Sequence, residues 1–234
     1  MKKHIPNMLT RCNLICGCMA TNAAFTHHYR WALVMILAGA AFDFFDGMVA
    51  RLLGVSSEIG KELDSLADVV TFGVAPSAIL FYLFTHVHYP DFCMPVWKFF
   101  PFSAFLLAAF SALRLAKFNL DSRQTSSFIG LPTPANALFW GSLVAGQHAF
   151  FMAPGFNVIY LFLAMLFSCY LLVAELPLFS LKFKDVSWKH NSTQYIFLFG
   201  CLFCLPLGWS ALAAMIVWYV LLALVVNFQN RRKA

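Results

Sequence analysis

The chain has 234 residues, 61% hydrophobic and 17% aromatic, with a mean hydropathy of +0.75. Only 11% are charged, under half the roughly 25% of a soluble domain, which excludes an ordinary water-soluble protein of this length. The net charge of +6 calls for no nucleic acid, because Lys and Arg in so apolar a chain set topology and attract anionic lipid.

No low-complexity tract, linker or repeat interrupts the chain, so residues 1–234 form a single domain, an all-α polytopic membrane bundle. Apolar stretches of roughly 17–25 residues between polar breaks mark membrane spans. The first falls at about residues 7–26, where Arg11 and Asn13 interrupt the apolar core and argue against a cleaved signal peptide. Long helices at about 31–54 and 60–85 follow, with ends that protrude into water. The next four spans lie at about 98–118, 133–153, 156–178 and 193–208. An eighth, at about 210–228, parts from the seventh only at Pro206-Leu207-Gly208, so that a re-entrant pair is the alternative there. With a cytoplasmic N-terminus, all of the 16 Lys and Arg except Arg30 and Lys98 fall inside. Both termini are then cytoplasmic. Trp31, Trp97, Trp140, Trp209 and Tyr82 suit an interfacial aromatic belt, and His27, His28, His86 and His88 fall in the two outer loops. The seven cysteines lie largely in apolar helix, where Cys acts as a small hydrophobe.

Chemistry concentrates between the second and third spans. Asp43, Asp46, Glu58, Glu62, Asp64 and Asp68 are six of the ten acidic residues. Carboxylates at the edge of a bilayer are costly unless a cation balances them. Helical spacing puts Asp43, Asp46, Gly47, Ala50 and Arg51 on one stripe and Gly60, Asp64 and Asp68 on another. Leu52–Ile59, with Gly54 and two serines, is long enough for the turn that faces the stripes together. Two carboxylates from each helix make an all-oxygen site for one or two hard divalent ions, Mg²⁺ or Mn²⁺ with Ca²⁺ also accepted. Without His or Cys in the cluster, a dedicated zinc site is disfavoured. Such ions suit displacement at phosphorus, and Arg51 is placed to take a phosphate oxygen. An ion-coupled carrier is the alternative reading of the same acids, although a carrier site belongs nearer the bilayer midplane.

The run D-x-x-D-G-x-x-A-R-x(8)-G-x-x-x-D-x-x-x-D, from Asp43 to Asp68, resembles the signature of the CDP-alcohol phosphatidyltransferase family at every fixed position. Pro6-Asn7-Met8-Leu9-Thr10 resembles that family's entry to its first helix. Ala112–Asn119 and Gly130–Asn136 resemble blocks of its serine-using branch. Eight spans suit that branch, with a catalytic core at about 5–178 and two further spans at about 193–228.

The resemblance implies transfer of a phosphatidyl group from CDP-diacylglycerol to L-serine at the cytoplasmic face of the inner membrane, by a protein that is a homodimer. It implies Asp43, Asp46, Asp64 and Asp68 as metal ligands, with Asp64 and Asp68 catalytic and Asp68 the general base. Gly47, Ala50, Arg51, Gly60, Lys61, Asn7 and Thr10 are then expected to hold the CDP moiety. For the alcohol, Arg114, Lys117, Asn119 and Thr133 are the candidates, with Arg123 a further cation. Thr133 is expected to N-cap the fifth span with Pro134 at its first position, offering an anion site at a helix N-terminus. Glycerol 3-phosphate or inositol phosphate is the alternative acceptor, and either requires a denser basic pocket.

Overall fold

The computed structural model describes residues 4–55, 57–120, 128–179 and 188–233. Helix α1 (His4–Phe25) runs antiparallel to α2 (Tyr29–Leu53), and the two form the most extensive helix pair. Ala20, Ala24 and Ala32 are fully buried between them, small residues that let the backbones approach closely.

Helix α2 ends where Gly54 adopts φ 61°, a left-handed conformation that glycine enters without the Cβ penalty. Its N–H and that of Val55 return to Arg51 O and Ala50 O, the hydrogen bonds of a Schellman motif. Three residues later Ser57 starts α3 (Glu58–Asp68), its Oγ accepting from Gly60 N at 3.0 Å. Glu58 in the first turn complements the helix dipole. The turn expected between the two acidic stripes is thus built from Gly54 and Ser57.

Immediately after Asp68 the rod widens into a π-helical turn, Val69–Val74, before continuing as α4 (Ala75–His86). Pro76 supplies a physical reason. It has no N–H to give to Phe72 O, and its ring would crowd that carbonyl in a regular α-helix. In the wider turn Ala75 N–H reaches back to Val70 O, and Ser77 Oγ donates to Gly73 O at 2.8 Å. The sequence periodicity predicts one uninterrupted helix here, so the π turn is a departure from expectation.

Short 3-10 segments at Asp91–Val96 and Phe100–Phe105 lead into α5 (Leu106–Leu120). A two-residue antiparallel ladder, β1 (Phe128–Ile129) with β2 (Pro177–Leu178), joins the chain before α6 (Thr133–Phe151) to the chain after α7 (Val158–Val173). Gly130 sits beside it at φ 76°, where an added Cβ would come within 2.8 Å of Leu172 O. Helices α8 (Trp188–Cys204) and α9 (Ala211–Lys233) pack on each other across a break at Gly208.

The helical rods follow the eight anticipated stretches. Among the described residues, four are long and apolar enough to cross a membrane: Tyr29–Leu53, Glu58–His86, Phe100–Leu120 and Asn191–Gln229. The protein is therefore a helical membrane protein, with exposed apolar side chains such as Phe199, Leu202 and Phe203 suited to lipid. The core gathers Leu33, Ile36, Phe72, Phe84, Leu161 and Met165 from α2, α4, α7 and the π turn. Trp140 belongs to this core and not to an interfacial belt: it is 1% exposed, and its Nε1 donates to Ser168 Oγ at 3.0 Å.

Candidate active site

The cap chemistry of Gly54 and Ser57 returns α3 toward α2, while α1 packs against both. Oxygens of Asp43 (α2), Asp64 and Asp68 (α3) all lie within 4.8 Å of one another. Asp68 is buried and accepts from Asn13 Nδ2 of α1 at 3.0 Å. Asp46 is also buried, and its Oδ2 accepts from Thr10 Oγ1 at 2.6 Å. It lies outside the three-acid set but within electrostatic reach of all three.

The donors fit a divalent cation. Asp64 Oδ1 is buried without a hydrogen-bond partner, an arrangement that costs free energy unless a cation meets it. The set is all carboxylate oxygen, the chemistry that hard ions such as Mg²⁺, Mn²⁺ and Ca²⁺ prefer.

Beside these acids lies a groove of about 250 Å³. Pro6, Asn7 and Thr10 of α1 form one wall, Asp46, Gly47 and Ala50 of α2 another, and Val55, Ser57, Gly60, Lys61 and Asp64 the third. A Cβ on Gly47 would point into open space, so the missing side chain leaves the groove clear. A Cβ on Gly60 would press on Ser57 Oγ at 2.8 Å and Asn7 Oδ1 at 3.1 Å.

Other expected residues behave differently. Arg51 is exposed and folds back along its own helix, with Nε donating to Gly47 O at 3.0 Å, and it does not line the groove. Lys117 is exposed at the end of α5. Asn119 Nδ2 donates to Ser65 Oγ at 2.8 Å and its backbone carbonyl accepts from Lys61 Nζ, tying α5 to α3. Arg123 lies outside the described residues. Thr133 is not the N-cap of α6: Pro132, at φ −60° and ψ 140°, holds that position, and Thr133 opens the helix with Pro134 in its first turn. The ring of Pro132 fixes φ, so the chain turns into the helix one residue earlier than expected.

Arg114 is buried, within electrostatic reach of Asp68, and stacks its guanidinium 5.4 Å from the Phe118 ring. Its Nε makes no hydrogen bond, and neither do Ser111 Oγ, Thr133 Oγ1 or Asn136 Nδ2, all of them buried. Four unsatisfied polar atoms on α5 and α6 make a polar interior that no single sequence pattern announces. Asn13, Ser111 and Asn136 escape a reading of the sequence as site residues because each shares its helix with other polar residues, and spacing alone does not say which of them turns inward. The i, i+3 pairs Thr10/Asn13, Ser111/Arg114 and Thr133/Asn136 carry a signal of a shared face.

The fold and site define a helical membrane protein that presents clustered carboxylates for a hard cation beside an open groove. A family model described as CDP-alcohol phosphatidyltransferase matches residues 3–175, and the chain belongs to that family. It is similar to the CDP-diacylglycerol–serine O-phosphatidyltransferase of Helicobacter pylori (strain ATCC 700392 / 26695), 30% identical over 239 residues that cover 97% of this chain and 95% of the relative. It is also similar to the protein of that name in Bacillus subtilis (strain 168), 39% identical over 135 residues, covering 56% of this chain and 70% of the relative. The Saccharomyces cerevisiae protein so named is 42% identical over 117 residues, 46% of this chain and 39% of the relative.

One consequence of the geometry is testable at α1. Thr10→Val keeps the side-chain shape but removes the donor to Asp46 Oδ2. Loss of a hydrogen bond to a buried charge costs about 1.5–3 kcal/mol. Where that charge acts in turnover, kcat/KM for CMP release drops by roughly 10- to 100-fold. Thr10→Ser restores most of it, which a steady-state CMP assay reads directly.

Proposed function

We propose that the protein transfers the phosphatidyl group of CDP-diacylglycerol to the hydroxyl of L-serine, giving phosphatidylserine and CMP. The observation that carries the reading is the set of converging carboxylates of Asp43, Asp64 and Asp68 beside an open groove. The names of the relatives point to the same reaction.

In this reading Asp43, Asp46, Asp64 and Asp68 hold two divalent ions, and the residues to about 178 are the catalytic core. Held by these carboxylates, such ions would neutralise charge on the diphosphate and make the β-phosphorus more electrophilic. Asn7, Thr10, Gly47, Ala50, Gly60 and Lys61 receive the CDP moiety in the groove, with Arg51 swinging from Gly47 O to reach phosphate. Asn13 orients Asp68 by donating to Oδ1, leaving the other carboxylate oxygen for the acceptor. Asp68 takes the serine hydroxyl proton as the serine oxygen bonds to phosphorus. The bond from that phosphorus to the bridging oxygen breaks, and CMP leaves with the electron pair.

Arg114 and the unsatisfied Thr133, Asn136 and Ser111 receive the amino acid, the guanidinium meeting its carboxylate. Lys117 and Asn119 stand further out at the end of α5 and guide its approach. One buried guanidinium matches one carboxylate, whereas glycerol 3-phosphate or inositol phosphate brings a phosphate dianion. The bundle crosses the cytoplasmic membrane eight times, with the aspartates and both termini facing the cytoplasm. The distribution of Lys and Arg supports that orientation.

Purified protein supplied with CDP-diacylglycerol, Mg²⁺ or Mn²⁺ and one alcohol at a time tests the assignment. Serine-dependent release of CMP is expected. Release with glycerol 3-phosphate but not with serine overturns the acceptor, and absence of CMP with any alcohol favours a carrier.

A further inference from the structure

The end of the bundle opposite the aspartates carries a second polar hollow. Tyr29 and Asp46 lie on one helix, so the two sites stand roughly 25 Å apart at 1.5 Å per residue. The hollow, of about 540 Å³, lies where the start of α2 meets the end of α6 and the Gly208 break. Its lining includes Arg30, His27, His28 and His148 and no acidic residue.

Two of its polar groups complete no hydrogen bond of full geometry. Tyr29 is 8% exposed, and its hydroxyl has Tyr82 as a neighbour but no partner at full hydrogen-bond geometry, the two rings standing 5.4 Å apart. His148 stacks on Tyr29 at 5.1 Å, and its Nε2 is buried and unbonded. Groups of this kind cost free energy unless a ligand meets them. The Arg30 guanidinium lies 5.6 Å from the Trp209 ring, an arrangement that fixes its plane while its N–H edge stays able to grip an oxyanion.

This hollow does not end as a simple anion site. His28 and Trp31 also line an adjoining groove of about 550 Å³ that follows α1 from Leu14 to Thr26. That groove is apolar, walled by residues such as Leu14, Ile15, Met19 and Met35. Twelve residues of helix make it about 18 Å long, enough for most of an acyl chain. A cationic, acid-free hollow running into an apolar groove matches one molecule in both polarity and shape.

We propose that this end of the protein binds one anionic glycerophospholipid. Its phosphate is held by Arg30, Tyr29 and His148, and one acyl chain lies along α1. The ligand is a resident lipid of the leaflet at that end and takes no part in transfer. The charge of the lining favours a net anionic headgroup over a zwitterionic one. Trp31 and Trp209, 57% and 43% exposed, mark the level at which headgroup and chain meet.

Native mass spectrometry of delipidated full-length protein, titrated with phosphatidylglycerol, phosphatidylcholine or inorganic phosphate, tests the site. One tightly retained phosphatidylglycerol is expected, with phosphatidylcholine weaker. Arg30→Gln should weaken retention roughly tenfold through loss of a charge-assisted contact. Cys18→Trp, which fills the groove, should do the same through the chain alone. Both variants keep parental CMP release, which shows that they are folded. Phosphatidylglycerol should raise the Tm of the parent and leave that of Arg30→Gln little changed. Equal retention by parent and both variants overturns the site. Equal affinity for phosphatidylcholine overturns the anionic preference, and an equal Tm shift from inorganic phosphate replaces the lipid by a free anion.

Discussion

An Asp68→Asn chain is expected to insert, fold and bind CDP-diacylglycerol, yet to release CMP about 10²–10⁴-fold more slowly than the parent, the usual range for losing a general base. The amide has the same shape and still accepts from Asn13 Nδ2, so the contact between α1 and α3 survives. What disappears is the negative charge and the ability to take a proton. The loss should appear in kcat with little change in KM for CDP-diacylglycerol, because the groove is walled by other residues. In metal-free protein thermal stability should hold or rise, since one of several crowded like charges is gone, while the rise in Tm on adding metal should shrink. That combination separates a catalytic role from a structural one. Full turnover in Asp68→Asn would remove the residue as base, and a collapsed Tm would make it a packing element.

Chelation is expected to be as severe. EDTA treatment should take CMP release to background, and Mg²⁺ or Mn²⁺ should restore it. The same experiment should lower the Tm, which distinguishes loss of a site ligand from inhibition elsewhere. Three carboxylates with oxygens within 4.8 Å repel by about 3.5 kcal/mol or more per charged pair at an effective dielectric near 20. A cation among them reverses that term, so the Tm should climb with metal concentration as mass action requires. A Tm indifferent to EDTA and to added ion would mean that the acids hold no metal.

Much of the site is legible in the sequence because the motif is local. Asp43 and Asp46, and likewise Asp64 and Asp68, are linked by helical spacing alone, and Gly54 and Ser57 announce the turn between them. What escapes is non-local. Thr10 meets Asp46 across 36 positions and Asn13 meets Asp68 across 55, pairings that the spacing within α1 cannot declare. The π turn is hidden for another reason. Pro76 falls inside the single helix expected at about 60–85, and only the path of the chain before it reveals that the turn absorbs an extra residue. That widening presents Thr71 to α1, where its hydroxyl bonds Asn13 O at 3.0 Å. Gly17 and Gly39 leave the room, since a Cβ at either would collide with Thr71. Arg51 and Thr133 show the converse, residues well placed by pattern whose side chains take other local positions in the structure.

The position of Arg114 has a bearing on how the protein is made. Asp43, Asp46, Asp64 and Asp68 leave the ribosome with the first 68 residues, whereas the buried cation within electrostatic reach of Asp68 follows 46 residues later. At 5–20 residues per second that is an interval of about 2–9 s. Throughout it, α1 to α3 present an acidic end with no buried guanidinium to offset it. Newly inserted chain must keep that end in contact with water, or capture its cations, before α5 arrives to close the interior. If these acids take metal as proposed, metal supply during synthesis is expected to affect yield as well as turnover.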